Sequence, residues 1–122
     1  MRVVRVIDQR TGAVVAERAG WCADPIRRFN GLMLRGSLPE GEGIVLTPCN
    51  SVHMALMRFA IDVAYFDREY QVVKLVEGLK PYRISLGGRR AHAAMELPAG
   101  TARRLGLQVG DRLCFEDDQA AR

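Results

Sequence analysis

The chain has 122 residues, 48% of them apolar and 26% charged, with a formal net charge of +4. That length supports one conventional core without staples, and no segment reaches the about 20 apolar residues that cross a bilayer. Three cysteines, Cys22, Cys49 and Cys114, lie far apart without Cys-x-x-Cys spacing, which argues against a disulfide framework and a zinc knuckle.

The opening MRVVRVIDQR carries a charge every few residues and no apolar run of signal-peptide length, so a soluble, cytoplasmic protein is the default expectation. Sixteen of the eighteen basic residues are Arg. Arg binds phosphate bidentately better than Lys does, but an excess of this size favours polyanions only weakly.

In chain order, RVVRVI (Arg2 to Ile7) and AVVAERA (Ala13 to Ala19) are β-branched runs separated by DQRTG. Gly12 suits the left-handed position of a bulged hairpin turn. Asp24-Pro25 then reads as an N-cap followed by a first helical residue, with Ile26 and Phe29 on one face and Asn30-Gly31 as the stop. SLPEGEG, Ser37 to Gly43, is a loop by its Gly and Pro content.

From Gly43 onward the pattern is strand-like: GIVLTP, SVHMALMRF, IDVAYF and QVVKLVEGL, with DREY as a short polar turn before Gln71. PYRISL is an edge-like strand with Pro81 at its start, GGRR (Gly87 to Arg90) is a turn, and AHAAMEL is a further strand. LPAGTARRLGLQVGD reads as strand end, short helix and tight turn before the last strand RLCFED. The expected fold is mainly β: a small single-domain, barrel-like curled antiparallel sheet with one or two short helices, near Pro25–Asn30 and Ala99–Leu105. The domain is expected to span 1–117, with 118–122 frayed.

Charged residues inside apolar strands are the site candidates. Asp62 sits between FAI and VAYF, so its carboxylate is expected to be buried, and a buried carboxylate needs a partner or a neutral form. Arg35, His53 and Arg58 are the candidate partners by residue type. A carboxylate holding a loop through backbone N–H groups or one Arg is the simpler solution. On an extended strand Cys49 and His53 stand about 13 Å apart, too far to share a zinc, and a thiol–imidazole pair would need another element's histidine, for instance His92. No metal and no cofactor is expected.

GLMLRGSL (Gly31 to Leu38), the SVHM…MRFAIDVAYFD block and ELPAGTARRLGLQVGDRL occur in that order and together resemble the domain of unknown function 192 family of bacteria and archaea. The resemblance covers about Val3 to Leu113. Here His53-Met54 stands where the family has an aromatic-Met pair, and Ala60-Ile61-Asp62 where it has Pro-Leu-Asp. The resemblance implies a small, mainly β fold and brings no activity with it. LPAGTARRLGLQVGDRL is also similar to the strand–helix–turn–strand unit of swapped-hairpin transcription regulators and cradle-loop barrels, with Leu97, Leu105 and Leu107 closing the helix onto the sheet. That unit speaks to architecture, not activity.

The expected function is a non-enzymatic ligand-binding or interaction module. Its polar pocket would be set in apolar strands and would use Arg35, His53, Arg58 and Asp62, with an unidentified small molecule or protein as partner. A hydrolase-like enzyme using Asp62 and His53 as an acid/base pair is the alternative. DNA binding through Arg89-Arg90 and Arg103-Arg104 is less favoured, and no membrane role is expected.

Overall fold

Short apolar runs separated by Gly- and Asp-containing turns become strands. The computed structural model describes residues 2–23, 37–53 and 59–117, with His53 described in its backbone only. In chain order the described elements are β1 (Arg2–Asp8), β2 (Val14–Cys22), β3 (Glu42–Leu46), β4 (Ser51–His53), β5 (Ile61–Phe66), β6 (Val72–Leu79), β7 (Ile84–Leu86), β8 (Ala93–Pro98), α1 (Thr101–Leu105) and β9 (Leu113–Asp117). The helix expected at Pro25–Asn30, the continuation of β4 through Arg58 and the tail 118–122 lie outside the described residues.

Seven strands form one sheet in the order β6-β5-β8-β3-β2-β1-β9, and β4 and β7 form a separate two-stranded ribbon. The expected mainly β, curled sheet is therefore what the chain forms. One pairing departs from the antiparallel expectation: β2 and β3 run parallel, from Arg18↔Glu42 to Cys22↔Leu46. A parallel neighbour needs a crossover of a dozen or more residues, and the sequence between Cys22 and Glu42 is long enough for one.

The β1–β2 hairpin closes as its sequence requires. Gly12 adopts φ 74° and its N–H donates to Asp8 O at 2.8 Å. The sheet then curls until its two edge strands meet at one corner. Gln71 and Arg112 form a bridge, Val72 N–H donates to Asp111 O, and Leu113 N–H donates to Tyr70 O, both at 2.8 Å. Aromatic rings fill that corner: Phe115 lies 5.0 Å from Tyr70, 5.5 Å from Phe66 and 5.4 Å from Trp21, centroid to centroid. Such edge and tilted contacts suit the ring quadrupoles.

β5 is buried along its whole length, and its alternation sorts side chains onto two faces. Ala64 and Phe66 join Val4, Val6, Met95 and Leu97 in the core beneath α1. Ile61, Val63 and Tyr65 join Val52 and Ala94 beneath the β4–β7 ribbon. Within the terminal unit Leu97 and Leu107 are buried as expected. Leu105 is only half-buried, and Ala102 instead fills the core from the helix.

Tyr65 ties the ribbon to the sheet. Burial pushes its phenol pKa up, so it stays a neutral donor, 3.0 Å from both Ser85 O and Ser85 Oγ. Gly87 lies against the same ring: a Cβ there would stand 2.5 Å from Tyr65 Cδ1 and 2.7 Å from Ala91 Cβ. Replacing Gly87 with Ala forces ring and loop apart, so the expected loss is about 1–3 kcal/mol, read as a lower urea midpoint with an unchanged slope.

Candidate functional site

The sequence draws attention to Asp62, and the structure surrounds its carboxylate with backbone donors. Asp62 is fully enclosed, at 0% exposure. Its Oδ1 accepts from Gly78 N–H at 2.9 Å, and its Oδ2 accepts from Gly100 N–H at 3.1 Å and Ala102 N–H at 2.9 Å. Gly78 can turn its N–H inward because it adopts φ 65° at a bulge where the β5–β6 register shifts between Ile61 and Val63. Gly100, also left-handed, starts α1 without a side chain of its own to cap it, so Asp62 supplies the acceptor from the neighbouring strand. Arg35, Arg58 and the His53 side chain lie outside the described residues. Enclosed at 0% exposure and held by three backbone N–H groups, the carboxylate has no exposed face to present to a substrate.

A concave polar surface lies at the other end of β5. The antiparallel β5–β8 ladder pairs Asp62 with Leu97 and Phe66 with Ala93. The turn after β5 and the turn before β8 therefore emerge side by side. Between them is a cleft of 370 Å³, lined by Asp67, Arg68 and Glu69 from one turn and Arg89, Arg90 and His92 from the other. Asp67 shapes its own turn: Oδ1 accepts from Glu69 N–H at 3.0 Å and Gln71 N–H at 2.9 Å. Its second oxygen is 4.0 Å from Arg90 Nη2, a long contact between a shielded acid and an exposed guanidinium. Among the described residues, Arg68 and Arg89 form no ion pair. His92 anchors the floor through its backbone, donating to Phe66 O at 2.9 Å and accepting from Cys49 N–H at 2.7 Å. That backbone link is the described contact between His92 and Cys49.

Sequence reasoning met these residues separately, as a turn, a basic dipeptide and a lone histidine. Their common location follows from strand pairing, which short-range pattern does not encode. Glu96 was also passed over, hidden in the run AHAAMEL. It is fully buried on the Ala94 face of β8, and its charge adds to the upward push on Tyr65.

A second acidic cluster locks the closing corner. Asp111 is 3% exposed. Its carboxylate accepts from Arg10 Nε at 2.6 Å, Arg10 Nη2 at 3.3 Å and Gln108 N–H at 2.9 Å. Arg10 Nη2 also donates to Gly106 O at 2.6 Å. Beside them Asp8, 1% exposed, accepts from Arg10 N–H at 3.0 Å through Oδ1, while its buried Oδ2 meets no donor. Desolvation first, then the neighbouring Asp111, raise the Asp8 carboxyl above its ordinary value. Burial also works to raise Asp111, but hydrogen bonding with Arg10, the Asp8 side chain and Gln108 N–H outweighs it and holds Asp111 low.

Among the described residues no group of three His, Cys, Asp or Glu side chains converges as a metal site would require, and no helix is long and apolar enough to cross a membrane.

The fold and site together define a small curled-sheet domain with a basic cleft beside two turns. A family model described as domain of unknown function 192, "Uncharacterized ACR", matches residues 6–115, and the chain belongs to that family. A UPF0127 protein of Pyrococcus furiosus is 40% identical over 93 residues, covering 72% of this chain and 78% of the relative. A UPF0127 protein of Pyrococcus abyssi is 33% identical, with 72% and 77% covered. Among solved structures, one described as a putative transcription regulator from Sinorhizobium meliloti superposes with a TM-score of 0.80 at 24% identity, covering 93% of this chain and 92% of the other. A protein of unknown function from Novosphingobium aromaticivorans gives 0.77 at 23%, with 92% and 83% covered. These likenesses show a shared fold.

Two outcomes are expected of the buried acids. Asp62→Asn keeps the shape but turns an NH2 toward backbone donors, so stability falls by about 1–3 kcal/mol for each amide left without an acceptor, measured by denaturant unfolding. Asp8, with a raised folded pKa, stabilises fully below its unfolded value near 3.8 and loses that contribution as pH rises through the folded value. Asp111, with a lowered one, contributes above 3.8 and loses its share as pH falls through its folded value. Asp8→Asn is therefore expected to gain stability relative to the parent as pH rises from near 3.8 through the folded Asp8 value, and to hold that gain above it. The acid-side loss from Asp111 should remain, and Tm against pH for both proteins reads both limbs.

Proposed function

We propose that the protein is a small non-enzymatic binding module whose arginine-lined cleft takes an anionic ligand bearing carboxylate or phosphate groups. The observation that carries this reading is the presence of Arg68 and Arg89 in a concave site, without carboxylate partners among the described residues. Guanidinium groups held on two adjoining turns match the paired oxygens of such a ligand. Asp67 and Glu69 on one wall favour a compact anion that engages the arginines over an extended polyanion that would run along both walls. Arg35, His53 and Arg58 stay in the proposal as further ligand contacts. Asp62 serves it as the fixed end of the strand that carries the first turn.

DNA is the competing polyanion, raised by the description of the Sinorhizobium meliloti neighbour. A duplex site needs several phosphate contacts on a surface of one sign, which the two acids of the cleft oppose. An acid/base hydrolase on Asp62 and His53 is disfavoured by the enclosure of Asp62.

Calorimetric titration with citrate and with inorganic phosphate tests the cleft. Arg68→Ala and Arg89→Ala are each expected to weaken binding by about tenfold, with affinity falling as salt rises. Ala substitutions at Arg35, His53 and Arg58 in the same titration show whether those side chains take part. Unchanged citrate and phosphate binding in both cleft variants would sink the reading. Retention of duplex DNA that steepens at low salt would transfer the site to nucleic acid.

A further inference from the structure

We propose that the outer edge of β7 is a docking strand, which accepts an extended peptide with acidic ends and alternating apolar side chains as an added β-strand. This goes beyond the anion cleft, although Arg89 and Arg90 border both.

The geometry of β7 is that of an unpaired edge. Among the described residues its ladder partner is β4, with Ser51↔Leu86, Val52↔Ser85 and His53↔Ile84. Gly87 N–H donates to Asn50 O at 2.7 Å. Antiparallel pairing alternates the direction of backbone groups, so residues 85 and 87 turn theirs toward β4. Ile84 and Leu86 turn theirs to the far side. Lys74 Nζ reaches that far side and donates to Leu86 O at 2.5 Å, so an added strand takes the Ile84 backbone groups directly and displaces the Lys74 ammonium from Leu86 O.

The side chains of this segment reverse the usual arrangement. Tyr82, Ile84 and Leu86 are 74%, 73% and 65% exposed, while Ser85 between them is 7% exposed and bonded to Tyr65. Ser85 faces inward because Tyr65 holds it, and the two-residue repeat then sends the large apolar side chains outward. An exposed apolar edge strand invites strand addition, and natural proteins guard such edges with charge. Here the guard has one sign. The stretch KPYRISLGGRR, residues 80–90, carries Lys80, Arg83, Arg89 and Arg90 and no carboxylate.

That charge pattern selects the occupant. A second copy paired edge to edge would lay these cations beside their own equivalents, and like charges opposed across strands are destabilising. A strand with acidic ends meets Lys80 and Arg83 at one end and Arg89 and Arg90 at the other. Its middle places apolar side chains beside Ile84 and Leu86. Main-chain bonds then supply affinity and the flanking charges supply selection, as in other strand-addition complexes.

The test uses the full chain and a labelled synthetic peptide, Glu-Glu-Val-Thr-Val-Thr-Val-Glu-Glu, followed by fluorescence anisotropy. Saturable binding is expected, weakened about tenfold or more by the double substitution Ile84→Thr, Leu86→Thr, which places strand-favouring β-branched residues at both positions and removes apolar surface. A peptide with N-methylated central amides is expected to lose binding, because it cannot complete the ladder. A version with Lys in place of Glu should also fail. Citrate titration of the double variant should match the parent, which separates this edge from the arginine cleft and shows that the variant folds. The proposal is overturned if the peptide does not bind. It is equally overturned if N-methylation or the double substitution leaves affinity unchanged, or if sedimentation shows a dimer of this chain that the double substitution dissolves.

Discussion

The carboxylate of Asp62 is the constraint on which the arrangement turns. A buried charge is tolerated only when its lone pairs are met, and here the donors are main-chain amides from two other segments: the β6 bulge at Gly78 and the start of α1 at Gly100 and Ala102. A one-residue slip of β5 against β8 would withdraw the carboxylate from all three and turn every side chain of the strand to the wrong face. The same ladder, four residues further along, sets Phe66 opposite Ala93. The register fixed at the buried end of β5 thereby fixes which two turns adjoin at the exposed end.

Asp111 makes a comparable bargain at the corner where the sheet closes. Its carboxylate gathers Arg10 and Gln108 N–H while its main-chain oxygen accepts from Val72 N–H. The first hairpin, the α1–β9 connection and the start of β6 thus share one residue. Curling brings β6 and β9 within bonding distance only at this corner, so the acid and the ring cluster around Phe115 act on the same closure. The adjacent Asp8 shows the cost of crowding acids together: its second oxygen lacks a donor, and burial with the neighbouring Asp111 pushes its carboxyl above its ordinary value.

Much of the fold was legible because it is written locally. Gly12, the Asp67 turn and the alternation of β5 each report on neighbours a few residues away, and each strand from Glu42 onward falls where apolar runs predict it. The parallel pairing of β2 with β3 was not legible, since it depends on the path of a crossover and not on the composition of either strand. Burial of Asp62 was legible from its apolar flanks. That backbone N–H groups meet it was the simpler expectation, and they do; which amides they are was not legible, because backbone amides carry no residue identity and Gly78 read as part of a strand, Gly100 and Ala102 as part of a helix. The cleft escaped notice for a related reason: Arg68 and Arg89 are distant in sequence and become neighbours only through the β5–β8 register. Ser85 and Tyr65 show the converse. Nothing in PYRISL says that its serine points inward and its isoleucine outward until the tyrosine of another strand claims the hydroxyl.

The scaffold and the surfaces proposed for binding are therefore held by different forces. Buried acids and backbone amides fix the sheet, and they involve few exposed side chains. The turns at the open end of β5 and β8, and the outer edge of β7, carry side chains that the core does not require. Arg68, Arg89, Ile84 and Leu86 project from segments whose conformation is set by Asp67, Gly87 and Tyr65. Loops positioned by a rigid frame are where binding residues concentrate, and this division gives the general rule a specific physical cause. It also separates the sign of an effect on stability from that of an effect on binding. Asp62, Asp111, Tyr65 and Gly87 hold the frame from inside, whereas Arg68, Arg89, Ile84 and Leu86, offered to a ligand, face outward. A single substitution at the surface can then alter recognition while leaving the three amides around Asp62 in place.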